Sequence, residues 1–304
     1  MSELIDLKKL PAPKVVQELS YETLLAQRKA KFLSLQENDD IRQHWQARLE
    51  LESEPVVKLL EENAYLELLL RTHINESAKA VMLAYATGSD LDQLGALFGI
   101  KRLMIQAGGL NAHPSIPTQY EDDERFRTRI QMSLEGLTTA GSRASYKFHA
   151  LSTSAKVKDI DVTSPTAGTV KVAILSTEGQ GTADGDLIKA VKEQLNAEHI
   201  RPLTDTVLVE SAVILTYEIQ ATITLYPSVL ESAVMDNVNQ AIANYVNKQH
   251  SLGIDITRSG IYAALHQEGV QNVKLNQPLA DLIVESHQAA YCTKIKVSVG
   301  SRDE

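Results

Sequence analysis

The sequence predicts an α+β multidomain protein, with an N-terminal helical bundle segment followed by two small α+β domains with mixed sheets. Three observations carry this. Residues 21 to 98 show almost no strand alternation and hold a single proline, Pro55; a Gly- and Pro-rich stretch, QAGGLNAHPSIPTQY, breaks the chain after residue 105; and from residue 156 alternating strands and amphipathic helices follow one another. A length of 304 residues suits two or three domains. The divisions read as 1–105 for a helical region, 106–212 for a central α+β domain and 213–304 for a C-terminal one.

Taken in order, YETLLAQRKAKFLSLQ and DIRQHWQARLELE are short, highly charged helices. Pro55 suits the first turn of the next helix, where its missing N–H goes unneeded. From there PVVKLLEENAYLELLLRTHINESAKAVMLAYA can run helical to about Ala86. Leu59, Leu66, Leu70, Ile74, Ala78, Val81 and Tyr85 recur at helical spacing as one stripe, while Leu60, Leu68, Leu69, Met82 and Leu83 fall outside it. A helix apolar on several faces needs several neighbours, which other chains or an intramolecular bundle can supply. In ATGSDLDQLGALFGIKR, residues 86 to 102, Ser89 or Asp90 suits an N-cap and Asp92 the first turn. Leu91, Leu94 and Phe98 line one face, and Gly99 suits a left-handed C-cap.

EDDERFRTRIQMSL reads as a helix with acids in front and arginines behind, and TTAGSRASYKFHALS as another, capped by Thr139 or Ser142. KVKDIDVT and GTVKVAILS flank SPTAG as a hairpin. DGDLIKAVKEQLNAEH is an amphipathic helix and TDTVLVESA a strand. YEIQATITLY (strand), LESAVMDNVNQAIANYVNKQ and TRSGIYAALHQ (helices), GVQNVKLNQ and AYCTKIKVSVG (strands) loosely repeat the strand-helix-strand theme.

Composition narrows the function. Net charge is −9 and the isoelectric point about 5.5, which disfavours a nucleic-acid binder. The lone Cys292 allows neither an internal disulfide nor a thiolate zinc cluster. The longest apolar run, AVMLAYA, is too short for membrane insertion, and MSELIDLKKL lacks the apolar core of a signal peptide, so a cytoplasmic, soluble chain is expected.

The residues hold no recognisable catalytic, cofactor or metal motif. His44, His73, His113, His149, His199, His250, His266 and His287 make no metal-ligand spacing and read as surface or structural histidines. Glu121, Asp122, Asp123 and Glu124 read as a solvated helix start, not a calcium loop. In STEGQGTADGD, Gly179 and Gly181 fit a phosphate-binding fingerprint but Asp184 takes the third glycine's place, so a flexible loop is the better reading. There is no GxSxG elbow. Trp45 and Phe126, among basic residues, read as parts of solvated helix faces and not base-stacking platforms. Arg125 and Arg129 share a helical face and are candidate interface charges, a solvated face being the alternative.

ATGSDLDQLGALFGIKR, DDERFRTRI, TTAGSRASYKFHAL, GTVKVAILSTEGQG, HIRPLTDTV and GIDITRSGIYAALHQEGVQNVKL occur in an order that resembles the baseplate J family of contractile-tailed bacteriophages, wedge proteins of Mu-like phages among them. The resemblance spans about residues 86 to 275. It implies a structural wedge protein of the tail baseplate, not an enzyme, and no cofactor. Such proteins build a six-fold ring around the hub and spike and transmit the contraction trigger, with a partner resembling tail protein I joining two copies through a shared helical bundle. The implied partners are a second copy of the chain, the tail protein I-like subunit and other wedge and hub proteins, with no nucleic acid and no membrane insertion. The implied location is the virion, in the tail baseplate, after assembly in the host bacterial cytoplasm. Carried onto this chain, Leu59, Leu66, Leu70, Ile74 and Val81 become the intersubunit bundle, and Ser89, Asp90, Asp92 and Gly99 structural caps and turns. A soluble enzyme with a dispersed site and a ligand-binding adaptor remain the alternatives.

Overall fold

The computed structural model describes residues 4–11, 13–15, 17, 20–109 and 116–302; His113 lies outside them. The chain divides into two compact units, the first ending at Lys101 and the second beginning at Arg102.

In the first unit, side-chain caps set the helix starts. Ser20 accepts the Thr23 N–H ahead of α1 (Tyr21–Ser34), and Asn38 accepts the Ile41 N–H ahead of α2 (Asp39–Arg48). Pro55 opens α3 (Pro55–Ala80). Leu24, Leu49, Val57 and Ala64 are buried. Arg28 of α1 donates to Glu67 of α3 at 2.5 Å, and Arg71 joins them. Both guanidinium groups hold the Glu67 carboxyl below the usual carboxylate range. Trp45 stands edge-on to Phe32 at 5.2 Å, which seats α2 against α1.

Helix α3 stops at Ala80, short of the expected Ala86. Turns follow, in which the Tyr85 and Ala86 N–H groups both donate to the Met82 carbonyl, and Ala86 is buried. The next helix, α4 (Gly88–Leu97), also starts earlier than its sequence suggests. Gly88 takes a left-handed φ of +51°, so the cap position falls to Thr87 and not to Ser89 or Asp90. Asp90 then lies in the first turn, and Asp92 beyond it. The far end matches the glycine reading. Gly99 has φ +69°, its N–H donates to the Ala96 carbonyl, and the Ile100 N–H donates to the Gly95 carbonyl, the paired bonds of a Schellman cap. Leu91 is buried and Leu94 half-buried, but Phe98 is exposed.

The second unit starts with a short antiparallel ribbon, β1 (Met104–Gln106) and β2 (Gln119–Tyr120). Helix α5 (Asp123–Met132) and a 3-10 turn, Ser133–Leu137, lead to α6 (Arg143–Thr153), whose cap is Ser142. Strands β3 (Val157–Thr166) and β4 (Thr169–Ser176) form the expected hairpin, α7 (Gly185–Leu195) crosses over, and β5 (Thr206–Ser211) returns parallel to β4. A second sheet follows from β6 (Val213–Leu225), α8 (Glu231–Gln249), α9 (Arg258–Leu265), β7 (Val270–Gln277) and β8 (Gln288–Arg302), in the order β7-β6-β8. Alternate residues of β6, from Tyr217 to Leu225, pack with Val234, Val238 and Ile242 of α8 and Ile261 and Leu265 of α9. In both sheets the central strand is antiparallel to one neighbour and parallel to the other. The chain path differs: one helix joins parallel strands in the first, and two helices join antiparallel strands in the second. The duplication is therefore one of sheet pattern and not of connectivity.

Only Ala212 separates β5 from β6, and it is buried with Leu175 and Ala289. Around this seam the Leu252 N–H donates to Asp159 at 3.2 Å, the Ser286 hydroxyl donates to Asp161 at 2.8 Å, and His250 Nδ1 lies 2.8 Å from the Ala290 carbonyl. A carbonyl can only accept, so Nδ1 carries the proton. Burial lowers the pKa of His250, aided by Lys158 nearby, and burial likewise lowers that of His149 on α6 beside His199. Both imidazoles are held neutral, so protonation favours the unfolded chain. Stability is fully present above about 6.5, the ordinary imidazole value, and falls as pH drops from there through the lower folded values. Melting at about pH 7.5 and about pH 5.5 is expected to show this loss, and replacing both histidines by asparagine to remove most of that difference. An undiminished pH dependence in the double variant would locate the effect elsewhere.

Candidate assembly interface

The helical repeat places Val57 and Ala64 on one side of α3, the buried side that also carries the Glu67 pair with α1. Leu59, Leu66 and Leu70, at steps of seven and four, turn away from that side, and Ile74, four residues further on, lies at its edge near Glu67. Those four and Val81, the residue capping the helix, are between 51 and 70% exposed. Tyr65 and Leu69 are exposed beside them, and Leu60 and Leu68 are half-buried. The helix is thus apolar on two faces, one packed within its own unit and one bare. Monomeric proteins seldom leave so long an apolar stripe in water.

The acidic run at 121–124 differs from its reading as a solvated helix start. Glu121 is 2% exposed. It accepts from Arg125 at 2.9 Å, from Arg129, and from the Leu103 N–H at 2.9 Å. Arg125 also reaches the carbonyls of Leu151 and Ser154, both at 2.8 Å, and that of Val157. Asp122 caps α5, Asp123 pairs with Arg102 at 2.9 Å, and Glu124 pairs with Arg127 at 3.1 Å. Arg125 and Arg129 are therefore not interface charges. Arg129 is buried and Arg125 mostly so around one carboxylate, and Arg125 ties α5 to the end of α6 and the start of β3. Burial lowers both guanidinium pKa values, and Glu121 opposes that shift. Arg125 and Arg129, at i and i+4, share one face of α5, which was the available signal; Glu121 lies one residue before the Asp122 cap, where no helical spacing places it. Phe126 is likewise fully buried, with the Arg102 guanidinium 4.7 Å from its ring, while Trp45 is half-buried under Arg48.

The 176–186 segment is a hydrogen-bonded turn and not a flexible loop. Ser176 N–H donates to the Gly181 carbonyl at 2.7 Å and Gly181 N–H to Glu178 at 3.0 Å. Gly179 and Gly181 both have positive φ, and Asp184 caps α7 through the Leu187 N–H at 2.7 Å. A methyl group at Gly181 would lie 2.6 Å from Leu175, so this glycine serves close packing. Cys292 is half-buried in β8, where burial pushes its thiol pKa up, against the thiolate that reactivity needs. Among the described residues, no group of three or more His, Cys, Asp or Glu is placed to hold a metal ion.

A bare apolar helix face joined in one chain to two α+β layers is the build of a subunit made for assembly. Comparison with known proteins specifies which assembly. Three family models match in succession: the baseplate J-like N-terminal domain over residues 52–109, the baseplate J-like central domain over 138–211 and the baseplate J-like C-terminal domain over 217–298. The chain belongs to the baseplate J-like family, and so to the structural proteins of phage-type baseplates. It is 47% identical over 302 residues to Baseplate protein J of Escherichia phage P2, covering 99% of each chain. It also resembles a chain in the six-fold symmetrised cryo-EM structure of the anti-feeding prophage baseplate, with a TM-score of 0.42 and 11% identity over 59% of this chain and 43% of that one.

Proposed function

We propose that this chain is a wedge subunit of a contractile tail baseplate, in which two copies associate with one tail protein I-like subunit and the wedges close a six-fold ring around the hub and spike. The bare stripe of Leu59, Leu66, Leu70, Ile74 and Val81 is the observation that carries the reading, because it needs an apolar partner helix that the described part of the chain does not supply. In this scheme residues 1–105 bind partners, residues 106–212 and 213–304 form the two ring-building domains, and the ring transmits the contraction trigger by rigid-body movement. The subunit assembles in the host bacterial cytoplasm and ends in the virion tail, with other wedge and hub proteins as neighbours. Membership of the baseplate J-like family supports the structural role.

Co-expression with the neighbouring tail genes, followed by mass measurement on a sizing column, tests the stoichiometry. A complex of two copies of this chain with one smaller tail protein is the expected result. A lone monomer with every neighbouring tail protein would overturn it.

A further inference from the structure

Residues 103 to 120 contain no Asp, Glu, Lys or Arg, the longest such run in a chain that is 23% charged. The described part of this run is the β1–β2 ribbon. It is a two-stranded sheet, and Met104, Ile105, Ile116 and Tyr120 on it are 43 to 55% exposed. Successive strand residues point to opposite faces, so Met104 and Ile105 leave both faces of the ribbon apolar and bare. A lone ribbon of this length is marginal in water. Its root, by contrast, is firmly built. The Glu121 N–H donates to the Leu103 carbonyl and the Leu103 N–H to the Glu121 carboxylate, both at 2.9 Å, and Arg102 donates to the Glu121 carbonyl at 2.8 Å. The Glu121, Arg125 and Arg129 group thus clamps both strands of the ribbon at its root.

We propose that this ribbon is a self-docking arm, with β1 of one copy adding antiparallel to β1 of a second copy. Charge selects the occupant. Two identical chains of net charge −9 repel each other, and a charge-free segment is where they can touch without opposing like charges. The same lack of charge gives an acidic or basic partner nothing to recognise. Pro117, just ahead of β2, has no N–H to donate and blunts that side, while β1 holds no proline, so its residues that turn their N–H away from β2 can pair outward. An antiparallel β1–β1 pair is self-complementary, as a two-fold contact requires. Strands of three residues bind weakly, so the contact forms between copies already held together. The inference therefore rests on the two-copy reading above.

The test uses the full chain with Cys292→Ser and Gln106→Cys, co-expressed with the smaller tail protein and treated with a short bismaleimide. A parallel sample carries Ser164→Cys, on the exposed end of β3 near the hairpin turn, in place of Gln106→Cys. The arm predicts a covalent dimer of this chain formed at least about ten times faster from position 106 than from 164, and reduced to the control rate by adding Met104→Asp and Ile105→Asp. Both added positions are exposed, so circular dichroism should be unchanged. Equal rates at 106 and 164 in a complex whose mass holds two copies would overturn the arm and leave the wedge reading standing. A cross-link from 106 to the smaller protein would overturn self-docking in favour of that partner. If the mass shows a single copy and no dimer forms, both readings fail.

Discussion

Replacing Leu66 and Leu70 together by aspartate is expected to weaken capture of the tail protein I-like partner by about 100-fold or more, while the chain itself melts as before. Both halves of this expectation come from exposure. The two side chains are 55 and 60% exposed, so an aspartate at either site stays in water in the free chain and leaves no cavity. In a helix–helix interface the same carboxylates would be desolvated without partners, a penalty of several kcal/mol for the pair. Hot-spot side chains at an interface centre contribute about 2 kcal/mol or more each, and 1.4 kcal/mol is tenfold in affinity. Val57→Asp is the contrasting control. Val57 is 2% exposed, so this change should unfold the first unit regardless of any partner. Unchanged binding by the Leu66, Leu70 double variant would remove the stripe from the interface.

Glu121→Gln is expected to destabilise the second unit by about 3–5 kcal/mol, because it removes the one carboxylate between two buried guanidinium groups. For a unit of this size that corresponds to a fall in melting temperature on the order of 10 °C. Arg125 keeps its three backbone carbonyl partners after the change, but Arg129 loses its carboxylate. A second variant, Glu121→Leu with Arg129→Met, should therefore recover much of the loss, since it removes a charge of each sign and refills the space with apolar groups. A Glu121→Gln protein that melts like the parent would show that the carboxylate does not hold the network together. The loss should also fall on the arm, whose root bonds to both the backbone and the side chain of Glu121.

Some of this was legible in residues alone. The helical region, the hairpin at Gly168, a cap at Ser142 as one of two candidates, the C-terminal glycine at Gly99 and the order of strands and helices from residue 156 on all follow from local rules that act over a turn or two of chain. The surplus apolar face of α3 was legible too, because helical spacing alone shows that its leucines exceed one stripe. Other features were not. Nothing local separates a solvated Glu121 from a buried one, and the acids beside it, Asp122 and Asp123, do different work as a cap and as a partner to Arg102. Caps at Ser89 or Asp90 failed because Gly88 turns the chain one step earlier, a choice between several polar residues that no spacing rule makes. The seam through Asp159, Asp161 and His250 joins residues as far apart as Asp161 and Ser286, beyond the reach of any local pattern.

By itself, then, the sequence determined the helices and the strands from residue 156 on, with an end displaced by six residues at α3, which faces are apolar and that no recognisable catalytic motif stands in it; the β1–β2 ribbon it did not show. Tertiary structure alone decided which apolar face α3 buries and which it leaves bare, that Arg125 and Arg129 turn inward onto Glu121, and that β5 runs straight into β6. The physical reason is range. Hydrogen bonding in caps and turns is settled between residues a few positions apart, whereas burial and charge pairing depend on which distant segments exclude water around a given side chain.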